Sequence, residues 1–146
     1  MTLDTAPGYP PVIDALRDLL GTRLVSTQAE REAHGRCETW YPLSPPDAVA
    51  YPETTEEVSG ILRLCQAHRC PVVAYGAASS LEAQHLATSG GISLDLSRMN
   101  RVLAVNAEDL NTVVQPGLTR LALNEELRAT GLFFPVDPGA DASLGG

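Results

Sequence analysis

The sequence predicts an α+β fold: a small parallel βαβ subdomain up to about residue 98, then an incomplete antiparallel α+β subdomain. Three observations carry this reading. Between Ala48 and Leu96, valine-rich runs without polar alternation flank one amphipathic segment, the strand, helix, strand order of a parallel unit. From Arg101, two short alternating runs are separated by Ala107-Glu108-Asp109-Leu110, a hairpin pattern. The 12 glycines and 11 prolines fall between such runs and at no fixed period, so they punctuate elements and build no repeat.

Residues 1–46 read as an N-terminal helical arm and residues 47–146 as the domain proper. Pro10 and Pro11 precede Val12, Ile13, Leu16, Leu19 and Leu20, which recur at helical spacing until Gly21 stops them. Residues 23–26 predict a brief strand, and 27–46 a partly helical stretch ending in a proline-marked crossing. Residues 48–52 predict a short strand closed by Pro52. Thr54-Thr55-Glu56-Glu57 is a capping box, in which Thr54 accepts the third helical amide and Glu57 reaches back. Val58, Ile61, Leu62 and Cys65 then share one helix face through about Arg69. Residues 70–75 and 91–96 predict the next strands, 101–106 and 111–117 the hairpin. Residues 118–131 predict a helix, Thr119 its N-cap and Gly131 its C-cap, followed by an extended 132–136. The final Ser143-Leu144-Gly145-Gly146 has neither a charged tail nor a helix to cover the preceding strand, and reads as a domain interrupted before its end. Such a chain is expected to expose strand edges and apolar surface, and so to be marginally stable or to associate.

Composition narrows the partners. With 44% hydrophobic and 19% charged residues the chain is globular, and 146 residues make about one domain. Net charge −8 without a basic cluster argues against nucleic acid and anionic membranes. No run reaches the roughly 18 apolar residues of a transmembrane helix, and the opening MTLDTAPGYPP lacks the form of a secretory signal. Three cysteines, an odd number, point to reduced thiols and a cytoplasmic location.

The stretch Val72-Val73-Ala74-Tyr75-Gly76-Ala77-Ala78-Ser79-Ser80 passes from a strand pattern into five residues with almost no side chain. Small residues after a parallel strand let backbone amides approach a ligand, and successive N–H groups form an anion nest, most often for phosphate. An ordinary tight turn has the same composition. Neither a dinucleotide G-x-G-x-x-G nor a P-loop is present. A second small-residue loop, Asp137-Pro138-Gly139-Ala140-Asp141-Ala142-Ser143-Leu144-Gly145-Gly146, follows another apolar extended run. Two such loops suit the two sides of one diphosphate.

The stretch PVVAYGAASSLEAQ resembles the pyrophosphate loop of the p-cresol methylhydroxylase / vanillyl-alcohol oxidase flavoproteins, usually P-V-x-x-R-G-x-G-T-S-L-E-G. Residues 100–146, ending GLFFPVDPGADASLGG, resemble the continuation in the FAD-linked D-lactate dehydrogenase and glycolate oxidase branch. The resemblance runs from about Trp40 to the last residue. It implies an FAD-binding domain of the p-cresol methylhydroxylase type, truncated at its C-terminal end. Tyr75, Gly76, Ala77, Ala78, Ser79 and Ser80 would hold the FAD pyrophosphate, and Pro116 and Gly117 would lie near the flavin. Pro135, Asp137, Ala142, Ser143, Gly145 and Gly146 would line the other side. Ala78 and Ala83 replace usual glycines and Ser79 a usual threonine, so affinity for the cofactor is expected to be weakened if either alanine needs φ > 0. Relatives with covalent FAD carry histidine about where Ser79 stands, so non-covalent FAD is implied.

The implied function is the FAD-binding portion of an oxidoreductase that oxidises a D-2-hydroxy acid, D-lactate or glycolate, by hydride transfer to flavin N5. The substrate groups and the catalytic base lie in the family's continuation, so no residue here is named catalytic, and the chain alone is expected to be inactive. In the intact enzyme the resemblance allows a location peripheral to the inner membrane. The electron acceptor is left open. The rival readings are a truncated remnant, a separate flavin-binding subunit without activity, and an interaction domain that has lost the cofactor. A metal reading of His34, Cys37, Cys65, His68 and Cys70 is weak, since Cys65 sits on the apolar helix face. A Ser79/Ser80–His85 triad lacks the G-x-S-x-G elbow.

Overall fold

Two prolines open α1 (Pro10–Leu20), where a missing amide costs nothing because the first helical N–H groups have no partner. The computed structural model describes residues 8–145. Val12, Ile13, Leu16 and Leu20 are buried on one side of α1, whereas Leu19 is exposed. A 3-10 turn (Gly21–Arg23) leads into β1 (Leu24–Val25), then α2 (Gln28–His34), β2 (Ala48–Ala50), α3 (Thr55–Ala67), β3 (Val72–Tyr75) and β4 (Ile92–Asp95). These strands form one sheet in the order β1-β2-β4-β3. β2, β4 and β3 run parallel, and β1 joins β2 antiparallel. The expected strand, helix, strand unit is present, but β4 lies between its two strands. All four residues of β4 are buried, as a central strand requires.

Strand alternation sorts the sheet's two faces. Ala48, Ala50, Ile92 and Leu94 pack with Val12, Leu16, Ile61 and Cys65 from α1 and α3. Asp95, one residue on from Leu94, meets α2 through His34 on the other face. Leu62, expected on the buried stripe of α3, is exposed, and Leu64 packs against the core instead. Thr54 accepts the Glu57 amide at 3.2 Å, as the capping box predicts. The Glu57 carboxylate takes the amide of Glu53 at 2.8 Å and a two-pronged ion pair from Arg23, at 2.6 and 2.5 Å. The Arg23 hydrogen bond holds the Glu57 carboxyl down at about 2.

The second unit is smaller. β5 (Val102–Asn106) and β6 (Asn111–Val114) form the antiparallel hairpin, with a register irregularity between Val102 and Ala104. α4 (Arg120–Leu127) starts where Thr119 accepts the Ala122 amide at 3.3 Å. It ends through a 3-10 turn (Arg128–Thr130) at Gly131, whose φ of 74° is the left-handed C-cap conformation. Leu118, Leu123 and Leu127 pack with Val102, Val114, Phe134 and Leu144. The last described residues pair antiparallel with the segment before α4: Arg120 N–H donates to Ala142 (3.1 Å), Leu144 to Leu118 (2.9 Å) and Gly145 to Pro116 (2.8 Å).

Candidate cofactor-binding site

The β3–β4 ladder stops where the small residues begin. Leu96 donates to the Tyr75 carbonyl at 3.1 Å. The Ala77 amide leaves the ladder and donates to the Ser143 hydroxyl at 3.2 Å. Among the described residues, no hydrogen bond uses the amides of Gly76, Ala78, Ser79 or Ser80. The Ser80 hydroxyl is engaged locally, donating to Gln84 Oε1 and accepting the Glu82 amide. The chain therefore presents four free backbone donors in five residues, a nest for a negative group.

These donors face a cavity of about 580 Å³ lined by 74–80, Gln84, His85, Leu96, Pro116, Ala142, Ser143 and Gly145. Ten of the residues singled out from sequence thus come together: Tyr75, Gly76, Ala77, Ala78, Ser79, Ser80, Pro116, Ala142, Ser143 and Gly145. No Asp or Glu is among the lining residues, although the chain has 18 of them. Three others stand apart. Gly117 is buried under β4's end, where a Cβ would fall 2.0 Å from the Leu96 carbonyl oxygen. Pro135 lines a separate apolar cleft with Leu123, Leu127 and Phe134. Asp137 is an exposed acid 3.5 Å from Arg120 that accepts the Gly139 amide. Gly146 lies outside the described residues.

The replacements of glycine fall on strained backbone. Ala78 has φ 53° and Ala83 φ 57°, both left-handed, where an L side chain costs about 1–2 kcal/mol.

Behind the loop lies a polar cluster that sequence reasoning missed. His34 Nδ1 faces the Glu30 carbonyl at 3.0 Å, and Nε2 faces the Asp95 carboxylate at 2.8 Å. Both partners only accept, so both ring nitrogens carry hydrogen and the pair is imidazolium and carboxylate. Burial works most strongly against charge on His34. The Asp95 hydrogen bond, the Glu30 carbonyl and both carboxylates together outweigh it and raise the pKa. Burial likewise opposes the Asp95 charge, but bonds from His34 and Ser97 hold that carboxyl below its usual range. His34 lies against the ring of Tyr75, centroids 4.2 Å apart, and His85 meets the same ring edge-on at 5.5 Å. The pair therefore fixes the floor from which the loop springs. Its members are 61 residues apart, and only the meeting of α2 with β4 joins them. Cys65 and Cys70 are buried in the core beneath α3.

Free loop amides on a strand end, facing a second small-residue loop across a cavity lined by no acid, define an anion-binding α+β module. The sequence matches the FAD binding domain family over residues 46–146. The chain belongs to that family, whose cofactor is FAD. It is 43% identical over 136 residues to "Probable D-lactate dehydrogenase, mitochondrial" of Danio rerio, covering 92% of this chain and 27% of that protein. It is 42% identical over 137 residues to "D-lactate dehydrogenase [cytochrome], mitochondrial" of Arabidopsis thaliana, covering 92% and 24%. With "Glycolate oxidase subunit GlcD" of Bacillus subtilis it shares 39% over 97 residues, 66% of this chain and 21% of the relative. The chain spans about a quarter of the length of these relatives. Its fold superposes on alkyldihydroxyacetonephosphate synthase with TM-score 0.88 at 22% identity, over 99% of this chain and 30% of that one. On p-cresol methylhydroxylase the TM-score is 0.71 at 21% identity, over 85% and 25%. The chain is thus an FAD-binding domain related to FAD-linked oxidoreductases. The expected α+β fold of the p-cresol methylhydroxylase type is the fold observed.

Proposed function

We propose that the cavity holds the diphosphate and adjoining ribityl chain of FAD without a covalent link. The chain then supplies the FAD-binding portion of an oxidoreductase for a D-2-hydroxy acid, D-lactate first and glycolate second. The observation that carries this is the run of unpaired amides, Gly76 and Ala78 to Ser80, facing Ser143 in a cavity with no carboxylate in its lining. Gly76 to Ser80 would hold one side of the diphosphate, and Ala142, Ser143 and Gly145 the other. Pro116 would lie toward the flavin. Ser79, where covalent relatives carry histidine, has no nucleophilic ring to offer the flavin. Residues 47–146 form the cofactor unit, and 1–46 an arm whose α1 covers the sheet.

Bound FAD would supply the acceptor for the hydride of the substrate's C2–H. The names of the relatives point to lactate or glycolate as substrate and to a cytochrome as one electron acceptor. Groups that bind and deprotonate the substrate would belong to the length of the relatives that this chain does not span, so the chain alone is inactive. Free Cys37, Cys65 and Cys70 support a reducing, cytoplasmic setting, and a place peripheral to the inner membrane in a longer protein rests on the family resemblance alone. No helix among the described residues is long and apolar enough to cross a membrane. A separate flavin-binding subunit without activity is the alternative, favoured by exposed Leu103, Leu110 and Val113 on the hairpin.

The test is a visible spectrum of the purified chain after incubation with FAD and removal of free cofactor. A retained flavin band that acid precipitation releases supports the reading. A colourless, folded protein overturns it for this chain.

A further inference from the structure

The loop from Gly76 to Ser80 has little of its own to keep it in shape. The amides of Gly76 and Ala78 to Ser80 bond to nothing among the described residues, and Ala78 sits at φ 53°, a left-handed conformation costly to alanine. Backbone of this kind persists where the surrounding structure over-determines it. Both ends of the loop are held, and by three consecutive residues of the arm, His34-Gly35-Arg36. At the entry, the Tyr75 ring lies against His34, centroids 4.2 Å apart, and His34 is itself fixed to Asp95 at 2.8 Å and to the Glu30 carbonyl at 3.0 Å. Past the exit, His85 is buried and its Nε2 lies 2.8 Å from the Arg36 carbonyl oxygen. A carbonyl only accepts, so Nε2 carries a hydrogen and donates. Tyr75 and His85 also meet edge-on at 5.5 Å, which joins the two ends.

The tripeptide is in turn fixed from behind. Gly35 packs so closely on Pro45 that a Cβ would fall 2.6 Å from that residue's backbone nitrogen and Cα. The Gly35 carbonyl accepts the Ser44 amide at 2.9 Å, and Arg31 Nε donates to the Pro46 carbonyl at 2.7 Å. The Arg36 carbonyl therefore stands on a turn with no slack on that side.

We propose that His34-Gly35-Arg36 preforms the cofactor loop, His34 through Tyr75 and the Arg36 carbonyl through His85, so that Gly76 to Ser80 stand open before FAD binds. The inference rests on the reading of the cavity as an FAD site. His34, Gly35 and Arg36 do not line the cavity, so they are positioning residues and the arm takes part in cofactor binding without touching the cofactor. A loop already in its binding shape escapes the cost of being ordered by the ligand. A loop that is competent for only a fraction of the time binds more weakly by that fraction. The loss falls on association, because the complex once formed keeps every contact of the loop.

The experiment follows FAD binding to the 146-residue chain by stopped-flow flavin fluorescence, which gives association and dissociation rates separately. Gly35→Ala drives the turn off Pro45 and carries the Arg36 carbonyl with it. His85→Leu removes the donor, and His85→Gln returns an N–H at a similar reach. Gly35→Ala and His85→Leu are expected to slow association about tenfold and leave dissociation unchanged, while His85→Gln stays within about threefold of wild type. Circular dichroism melts establish that each variant is folded. Folded Gly35→Ala and His85→Leu that associate at the wild-type rate overturn the proposal and leave the FAD site standing. Faster dissociation with unchanged association overturns it too, since that would make His85 a contact of the cofactor. Should neither variant fold, nitrogen-15 relaxation of the FAD-free wild type decides. Gly76 to Ser80 as ordered as β3 support a preformed loop, and order parameters below about 0.6 overturn it. A folded wild type that binds no FAD at any concentration overturns the site and the proposal together.

Discussion

Ala78 and Ala83 occupy left-handed backbone, but the two are not equivalent. Replacing alanine by glycine at such a φ removes about 1–2 kcal/mol of strain and gives back about 0.4–1 kcal/mol through the freer unfolded chain. Ala78 is half-buried on the cavity wall, so Ala78→Gly is expected to stabilise by about 0.5–1 kcal/mol and to bind FAD several-fold more tightly. Ala83 is buried, and loss of its methyl forfeits about 0.8 kcal/mol of packing, so Ala83→Gly should leave stability nearly unchanged. Urea unfolding midpoints separate the cases, and a lower midpoint for Ala78→Gly would show that the loop carries no strain there. At this scale much of the site was legible. Small residues after a strand are visible in sequence because their function is to withhold side chain. Gly117 was singled out for the same reason, and its missing Cβ makes room for the Leu96 carbonyl.

At the scale of elements, the His34–Asp95 pair clamps α2 to β4 directly behind Tyr75. The sign of its pH dependence follows from the two shifts. The raised His34 pKa contributes stability that is complete below the ordinary imidazole value, about 6.5, and is lost as pH rises through the folded one. The lowered Asp95 pKa contributes stability present above the ordinary carboxylate value and lost as pH falls through the folded one. The pair therefore stabilises most in the window between the ordinary carboxylate and ordinary imidazole values, and its contribution fades beyond that window toward the folded Asp95 and His34 values. Asp95→Asn strands a buried imidazolium and is expected to cost about 3 kcal/mol inside that window. The deficit should narrow as pH rises and the wild-type histidine loses its own charge. Chemical unfolding at pH 5.5 and pH 8.5 measures it, and a deficit that does not change with pH would show that His34 is neutral throughout. The elements themselves were largely readable, because caps such as Thr54 and Thr119 and stops such as Gly131 act within one turn. The placement of β4 between β2 and β3 was not, since strand order depends on contacts that no local pattern encodes.

Over the whole molecule the two units are covered unequally. The four-stranded sheet carries α1 and α3 on one face and α2 on the other. The hairpin has α4 on one face only, through Val102 and Val114 packed with Leu123 and Leu127. Its other face leaves Leu103 57% and Val113 51% exposed, with Leu110 77% exposed at the turn. Two strands with one covered face are marginal in water, and a continuous apolar face on a soluble chain favours association. The chain is therefore expected to self-associate with rising concentration through this face. Leu103→Thr with Val113→Thr puts a β-branched side chain at both positions, which suits the hairpin, while removing the apolar surface. Sedimentation equilibrium should give a weight-average mass that climbs with concentration for the wild type and stays near 15.5 kDa for the double variant. A wild type that remains monomeric throughout, or a folded double variant that associates equally well, would place the association elsewhere or exclude it. The cavity proposed for FAD is lined by the β3 loop and the Ser143 segment, and neither Leu103 nor Val113 is among its lining residues. The double variant should accordingly retain FAD as the wild type does, so that the assembly of the chain and its cofactor binding can be read independently in the same samples.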